Sequence, residues 1–350
     1  MLYPVSRLFR RFPALFAFAF ACAAACGAST NGDGDGDGDG DGDGDGDGDG
    51  DAGTSDQWQP LADLDGAIQE TSVVLLEGKV YVLGGFNANL QIVADNRIYD
   101  IATDSWTRGA DYPGPLHHMN GEVAGGKIWV AGALTTGFAT SDTVRSYDPL
   151  LDAWSNQGEL TAMPSPRGAS AIGAIGDVLY IAGGLDGSAV TTFSSYDTET
   201  DTWDTALPDL PAALDHATGE VVDGVFYVIG GRTGSIGDVK SEVFAFDPAI
   251  GEWREKAPMP TPRGGIASGV VLGQIVVVGG EGNSAAGNGV FPQTEIYDPE
   301  ADAWSSAPDM RTPRHGMGAV GSGGALYVPG GADVQAFAAV DTFERFAFGR

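Results

Sequence analysis

The sequence predicts an all-β protein whose body consists of six similar units of four strands each. Three observations support this fold class. Glycine accounts for 54 of the 350 residues, and 43 of these glycines lie after residue 51, where they favour tight turns over helices. Short apolar runs that end in a pair of small residues recur at intervals of 47 to 51 residues. After each pair an aromatic residue is followed by an acid, and in five units a Trp lies seven positions beyond the aromatic.

Residues 1–25 are predicted to be an export signal. Three arginines precede an apolar stretch of about 14 residues, which is too short to span a bilayer. The stretch ends in Ala23-Ala24-Ala25-Cys26, which resembles the lipobox of bacterial lipoproteins. The resemblance implies lipidation at Cys26, and Gly27 instead of Asp at the next position resembles outer-membrane sorting. We therefore expect an exported lipoprotein of the cell envelope, held in the outer membrane. An ordinary secretory signal cut after an Ala-x-Ala site is the alternative.

Residues 26–55 follow as the lipidated Cys26 and an acidic tether. Asp and Gly alternate through most of this segment, with ten aspartates from Asp33 to Asp51. Glycine keeps a chain flexible, like charges repel one another, and nothing in this segment supplies a core. We expect a flexible Asp-Gly tether, and weak calcium binding by its aspartates stays open as an alternative.

Charge and cysteine content exclude several classes of function. The formal charge of the chain is −30, and the body after residue 55 still carries 38 acids against 15 bases, so general nucleic-acid binding is not expected. The two cysteines are Cys22 and Cys26. The body therefore has neither a disulfide framework, nor a cysteine nucleophile, nor a thiolate metal site.

The body, residues 56–350, carries the repeat. Each apolar run is typical of a strand that is buried on both faces, and each pair of small residues allows the sharp turn that follows it. The small pairs are Gly84-Gly85, Gly132-Ala133, Gly183-Gly184, Gly230-Gly231, Gly279-Gly280 and Gly330-Gly331. The aromatic and Trp partners are Tyr99 and Trp106, Tyr147 and Trp154, Tyr196 and Trp203, Phe246 and Trp253, and Tyr297 and Trp304.

These residues resemble the kelch repeat over the whole body. The resemblance implies a six-bladed kelch-type β-propeller over residues 56–350. The departures are Ala133 in place of the second glycine of blade 2, and Phe in place of Tyr in blades 4 and 6. In this pattern the aspartates near each Trp are expected to hold turns, and the large aromatics to fill the space between blades.

Closure of the ring is predicted from the one Trp that precedes the first glycine pair. The sixth unit ends without a Trp, whereas Trp58 lies 26 residues before Gly84, the same spacing that separates Trp106 from Gly132. We expect the strand around Trp58 to complete the last blade and to cover its edge.

The candidate binding surface is the face that carries the loops between second and third strands and the connections between blades, because these loops vary in length. We call it the mouth face. On it the sequence places three arginines at one offset from the glycine pairs, a fourth arginine directly after a pair, and all four histidines. The candidate ligand-binding residues are Arg167, Arg232, Arg263, Arg314, His117, His118, His216 and His315. Arginine pairs with carboxylates through a planar fork, so the group predicts an anionic ligand. Structural arginines that bond carbonyl groups are the alternative.

No catalytic residues, metal or cofactor are predicted. A metal site on His118 and His216, with Glu70 as a third ligand, is the alternative at the channel, against histidines that only bond backbone. Motifs for a serine nucleophile, a zinc protease or a phosphate-binding loop do not occur in the sequence.

The sequence thus favours a non-catalytic, lipid-anchored module, expected to be a monomer. It would bind a protein, an anionic small molecule or a glycan. The alternatives are a carbohydrate-active isomerase resembling the kelch sialic-acid mutarotases, and a purely architectural envelope protein. A propeller supports all three functions, so the fold alone does not choose among them.

Overall fold

The computed structural model describes residues 56–349. The predicted signal peptide, Cys26 and the Asp-Gly segment lie outside the described residues. Six four-stranded antiparallel sheets form the six blades of a β-propeller, which confirms the predicted fold class. The described part also contains one 3-10 turn, Thr136–Phe138, and none of its helical segments has the length and apolar character needed to cross a membrane.

The four strands of each blade follow one another from the innermost, at the centre of the molecule, to the outermost. Blade 1 is β3 (Ser72–Leu76), β4 (Lys79–Leu83), β6 (Asn96–Asp100) and β7 (Ser105–Arg108); blade 2 is β8 (Gly121–Ala124), β9 (Lys127–Leu134), β10 (Thr140–Asp148) and β11 (Ala153–Trp154); blade 3 is β12 (Ala171–Ile175), β13 (Val178–Ala182), β14 (Phe193–Asp197) and β15 (Thr202–Asp204). Blade 4 is β16 (Thr218–Val222), β17 (Val225–Ile229), β18 (Val243–Asp247) and β19 (Glu252–Glu255); blade 5 is β20 (Ala267–Val271), β21 (Gln274–Val278), β22 (Thr294–Asp298) and β23 (Ala303–Ala307); blade 6 is β24 (Val320–Ser322), β25 (Ala325–Pro329), β26 (Phe343–Ala347) and β1 (Gln57–Pro60). A short pair, β2 (Ile68–Gln69) and β5 (Phe86–Asn87), lies on the mouth face.

The six innermost strands surround a central channel. Each of them contacts the innermost strand of the blade before and of the blade after, and the contact of β24 with β3 completes the circle. Together they line a cavity of about 340 Å³. Apolar side chains of adjacent blades pack between the sheets, so the core is divided into six clusters, such as the one that joins Val276 of blade 5 to Leu326 of blade 6.

The ring closes through the N-terminal strand, as predicted. β1 pairs with β26 in antiparallel register, with Trp58 opposite Phe346. The Trp58 side chain is buried, and its indole Nε1 donates to the carbonyl of Pro308 at 3.0 Å. Blade 6 therefore consists of three strands from the end of the described chain and one from its beginning, which leaves β26 without a free edge.

The glycine pairs allow close approach between blades. Gly84 has a φ of 58°, and a Cβ there would lie 2.5 Å from the carbonyl oxygen of Leu116 in the connection to the next blade. In blade 2, Ala133 replaces the second glycine. There β9 and β10 run on to Leu134 and Thr140, respectively, with a register shift between Ser141 and Val144. The replacement of the second glycine by Ala133 thus coincides with a longer hairpin in blade 2.

In four of the six blades a repeated clamp holds the outer strand to the preceding connection. In blade 1 the Tyr99 hydroxyl donates to Asp104 Oδ1 at 2.7 Å, the same oxygen accepts the amide of Ala62, and the Trp106 indole donates to the carbonyl of Ala62. The equivalent sets are Tyr147, Asp152, Trp154 and Ala110; Tyr196, Asp201, Trp203 and Thr161; and Tyr297, Asp302, Trp304 and Ala257. The direct pairing of each aromatic with its Trp across the two outer strands accounts for the fixed spacing of seven residues.

Blade 4 lacks the acceptor of the clamp, which explains why its aromatic is Phe246 and not Tyr. Gly251 stands where the other blades have the acceptor aspartate, and Pro208, which has no N–H, stands at the clamped position. A tyrosine hydroxyl would have no carboxylate to donate to in this blade, and Phe246 lacks that hydroxyl. Only the indole bond remains, from Trp253 Nε1 to the Pro208 carbonyl at 2.9 Å.

A second repeated element encircles the channel at the mouth face. In each connection to a new blade, the residue 14 positions before the glycine pair has a φ between 49° and 62°. The amide of each of these residues donates to the carbonyl of its equivalent in the preceding blade, so six hydrogen bonds form a closed circle. Its members are Glu70, His118, Ala169, His216, Gly265 and Gly316. We call this circle the backbone ring.

Candidate functional site

The three arginines at one sequence offset lie inside their blades. Arg167, Arg263 and Arg314 are at most 1% exposed, and none of them lines the channel cavity. Arg167 donates to the carbonyls of Gly183 and Ile181 at 2.8 Å. All three guanidinium groups donate to backbone carbonyls at or just before the glycine pair of their blade.

Two of these arginines also neutralise a buried acid of the third strand. Arg263 Nη2 lies 2.7 Å from Glu295 Oε2, and Arg314 Nη1 lies 2.8 Å from Glu344 Oε2. All four side chains are nearly inaccessible to solvent, with at most 4% exposed. These surroundings match the structural alternative, and we leave the three arginines out of the site.

The remaining predicted residues come together in one polar cluster at the mouth end of the channel. The cluster spans connections and loops of five blades and combines all four histidines with three acids and one arginine. Its members are Glu70, His117, His118, Asp215, His216, Arg232, Glu281 and His315. We call it the mouth cluster. Glu70, His118 and His216 are also members of the backbone ring, which directs all three side chains to the channel cavity.

The histidines of blades 2 and 4 meet across the channel. His118 Nε2 lies 3.0 Å from His216 Nε2 and 3.1 Å from Glu70 Oε2. The opposite nitrogen of each ring is also bonded: His118 Nδ1 lies 2.5 Å from His117 Nδ1, and His216 Nδ1 lies 2.5 Å from Asp215 Oδ1. Side chains that start two blades apart are thus joined directly.

Arg232 and Glu281 extend the cluster to blade 5. Arg232 donates to Asp215 Oδ1 at 3.1 Å, to His216 Nε2 at 3.0 Å, and to Glu281 Oε1. Glu281 Oε2 accepts the amide of Ala336 from a loop of blade 6. The Arg232 guanidinium is therefore already paired with two carboxylates, which limits what it offers to an anion.

Burial and pairing shift the pKa values in the cluster. Burial alone would raise the pKa of Glu70, but His118, together with His315 and His216, outweighs it and holds that pKa well below its usual range. The pKa of Asp215 is likewise lowered by His216 and Arg232 against the effect of burial. Burial lowers the pKa of His117 to about 4 and also lowers the pKa of His216. At neutral pH these two acids are charged and these two histidines neutral.

Comparison with known proteins identifies the repeat. The family model of the Kelch motif matches residues 70–111, 166–206, 214–260 and 262–311, together about half of the chain. The chain belongs to the kelch-repeat family. The four matched segments correspond to blades 1, 3, 4 and 5. The matched segments do not include blade 2, which has Ala133, or blade 6, whose strands come from both ends of the body.

Curated relatives and a solved structure agree with this kelch assignment. Kelch-like protein terF of Aspergillus terreus is 34% identical over 289 residues, which cover 78% of this chain and 52% of the relative. Beta-scruin of Limulus polyphemus is 32% identical over 181 residues, 49% of this chain and 20% of the relative. This chain thus spans about half or less of the length of these relatives. The structure of YjhT superposes with a TM-score of 0.66 over 81% of this chain and 96% of that chain, at 17% identity, which shows the shared fold.

Two channel acids of the kelch propeller were not predicted. Glu122 on β8 and Glu220 on β16 line the cavity at equivalent positions, ten residues before their glycine pairs. Burial raises the pKa of Glu122 to about 7, and burial together with the charge of Glu122 raises that of Glu220 to about 8. Ser268 donates to Glu220 at 2.6 Å. An acid within an otherwise small and apolar innermost strand was the available sequence signal.

An aromatic patch beside the mouth cluster was also missed. Of the eight large apolar side chains exposed in residues 56–349, four lie on mouth-face loops of the consecutive kelch blades 6, 1 and 2: Leu90, Phe138, Val334 and Phe337. The ring of Phe86 lies 5.6 Å from that of Phe337 and 6.5 Å from that of Phe138. Phe138 also packs against His117, with ring centroids 5.0 Å apart. We call Phe86, Phe138 and Phe337 the aromatic patch.

Proposed function

We propose that this protein is a non-catalytic binding module that holds a protein partner on the mouth face of its propeller. The observation that carries the proposal is the aromatic patch. Phe138 and Phe337 are 42% and 44% exposed, although they come from loops of different blades and converge on the same Phe86 ring. Clustered exposed aromatics next to polar groups are typical of protein interfaces.

A protein partner fits this face better than an anionic ligand does. The guanidinium groups of Arg167, Arg263 and Arg314 are bonded inside their blades, and Arg232 is paired with Asp215 and Glu281. The mouth cluster therefore has three carboxylate groups and one guanidinium group, and that guanidinium group is already paired. The acidic body favours a partner with a basic rim around an apolar centre.

The test compares two double variants of the same size. Phe138→Ser with Phe337→Ser removes the patch, and Leu150→Ser with Leu151→Ser changes two exposed leucines in a turn on the opposite face. Cross-linking in the cell envelope, followed by mass spectrometry, should yield a partner with the wild type and the leucine variant but not with the phenylalanine variant. Equal recovery of that partner with both variants would refute binding through the mouth face. Loss of the partner only on substitution of Arg232 would favour an anionic contact.

We further propose that the module is exported and anchored by a lipid at Cys26, in the outer membrane. This proposal rests on Ala23-Ala24-Ala25-Cys26 and on Gly27. A stable anchor takes more than one acyl chain, as lipoproteins carry. The Cys26→Ala variant should lose incorporation of labelled palmitate and leave the membrane fraction or stay unprocessed, while Cys22→Ala should behave as wild type. Palmitate labelling and membrane retention of Cys26→Ala would exclude the anchor.

A further inference from the structure

In the mouth cluster, His118 Nε2 faces two other hydrogen-bond acceptors, His216 Nε2 and Glu70 Oε2. His117 Nε2 lies 3.0 Å from the carbonyl of Thr135, so it carries the proton, and His117 Nδ1 is an acceptor when the ring is neutral. His118 Nδ1–H then donates to it, which leaves His118 Nε2 bare in the neutral ring. His216 Nδ1–H donates to Asp215, so His216 Nε2 is an acceptor as well, and Arg232 donates to it at 3.0 Å.

When the rings of His118 and His216 are neutral, neither ring places a proton between the facing atoms. His118 Nε2 is 3.0 Å from His216 Nε2 and 3.1 Å from Glu70 Oε2, and all three are electron-pair donors. Two imidazole nitrogens and a carboxylate oxygen that converge in this way form a set of ligands suited to a cation. Glu70, Asp215 and Glu281 are the acids of the mouth cluster, and Arg232 is its one arginine.

The geometry points to a divalent transition-metal site, with zinc as the best-fitting ion, held by Glu70 Oε2, His118 Nε2 and His216 Nε2. One ligand atom of each residue lies within 4.8 Å of those of the other two. Tetrahedral zinc with bonds of about 2.0–2.2 Å holds its ligand atoms roughly 3.3–3.6 Å apart. The two contacts of His118 Nε2, at 3.0 and 3.1 Å, would lengthen by only a few tenths of an ångström to meet this geometry. Two imidazoles and one carboxylate suit zinc better than calcium or magnesium, which prefer all-oxygen sites.

The groups around the three ligands have the properties of an outer shell. Asp215 orients His216 through the nitrogen opposite to the metal, which is the usual carboxylate partner of a zinc-bound histidine. His117 orients His118 in the same way. Arg232 also donates to His216 Nε2 at 3.0 Å, so zinc would displace this one bond while Arg232 keeps Asp215 and Glu281.

The backbone ring prepares the site before any ion arrives. It holds Glu70, His118 and His216 at φ values of 53°, 49° and 54°, an uncommon conformation for residues other than glycine. Gly316, the ring member of blade 6, leaves space for the carboxylate of Glu70, since a Cβ there would lie 2.5 Å from Glu70 Oε1. All three ligands line the channel cavity, so a further coordination position faces it.

The experiment is zinc titration of the full chain by calorimetry after chelator treatment, with excess magnesium present to occupy the Asp-Gly segment. Wild type should bind one zinc tightly and show a higher melting temperature with zinc. Glu70→Gln, which keeps the shape of the side chain, should weaken binding at least tenfold, and Asp215→Asn should weaken it about 10–100-fold. Cobalt(II) should give the visible absorption of a four- or five-coordinate site in the wild type and should lose it in Glu70→Gln.

Glu122→Gln is the matched control, because it changes another carboxylate of the same cavity and should leave zinc affinity unchanged. Absence of a tight zinc site in the wild type would overturn the proposal. Equal weakening by Glu122→Gln and Glu70→Gln would overturn it too, because the ion would then be held by general cavity charge. Neither result depends on the partner proposed for the aromatic patch.

Discussion

Truncation of Trp58 should destabilise the propeller strongly, because this side chain joins the two ends of the ring. Its indole is 7% exposed, packs against Phe346 with ring centroids 5.5 Å apart, and donates to the Pro308 carbonyl at 3.0 Å. Replacing a buried Trp by Ala costs about 3–5 kcal/mol, and the lost hydrogen bond about 1 kcal/mol more. At about 2–4 °C per kcal/mol, Trp58→Ala should lower the melting temperature by roughly 8 °C or more.

Trp154→Ala is the matched control, since Trp154 packs against Tyr147 with ring centroids 5.1 Å apart and donates to the Ala110 carbonyl. Both variants should lose stability, but only Trp58→Ala should weaken the pairing of β1 with β26. Hydrogen exchange of the β26 amides, residues 343–347, should therefore accelerate in Trp58→Ala and stay slow in Trp154→Ala. Wild-type melting and protected β26 amides in Trp58→Ala would refute closure through β1.

Three further predictions concern the buried polar groups. Arg314→Ala should lower the free energy of unfolding by about 3–5 kcal/mol, because it removes the buried partner of Glu344 and leaves that acid only the exposed Arg311 as a charged partner, at 3.8 Å. An unchanged melting temperature would contradict this structural role. Glu122→Gln should stabilise the protein at pH 8 but not at pH 5. The folded-state pKa of Glu122 is raised to about 7, so the wild type binds the extra proton when folded and loses stability as pH rises from about 4.5 through 7. Equal denaturant midpoints for wild type and variant at both pH values would argue against this. Tyr297→Phe should cost about 1 kcal/mol by removing the bond to Asp302, measured by urea unfolding, and no loss would show that the clamp is not stabilising.

The fold was predictable because its determinants are local and repeat. The spacing from Tyr99 to Trp106 follows from one strand, one turn and a return strand, and the structure pairs these residues directly. Ring closure was predictable for the same reason, because Trp58 keeps the spacing of the other tryptophans.

Side-chain direction was not predictable from the same offsets. A position such as Arg263 lies in the expected connection, but its side chain turns into its own blade, towards the carbonyl of Gly279 and the carboxylate of Glu295. Sequence spacing predicts where the Cα of a residue lies, but not which hydrogen-bonding group its side chain reaches. The meeting of His118 with His216 across the channel depends likewise on the left-handed backbone of the ring, which the sequence alone does not reveal at a histidine.

The closing strand β1 also determines the face of the propeller on which the described chain begins. β26 starts at Phe343 on the mouth face and ends at Ala347, and Gln57 pairs with Ala347, so the described chain begins on the far side from the aromatic patch. A tag or solid support joined ahead of Asp56 would therefore meet the propeller at the face opposite the aromatic patch and leave that patch accessible in a binding assay.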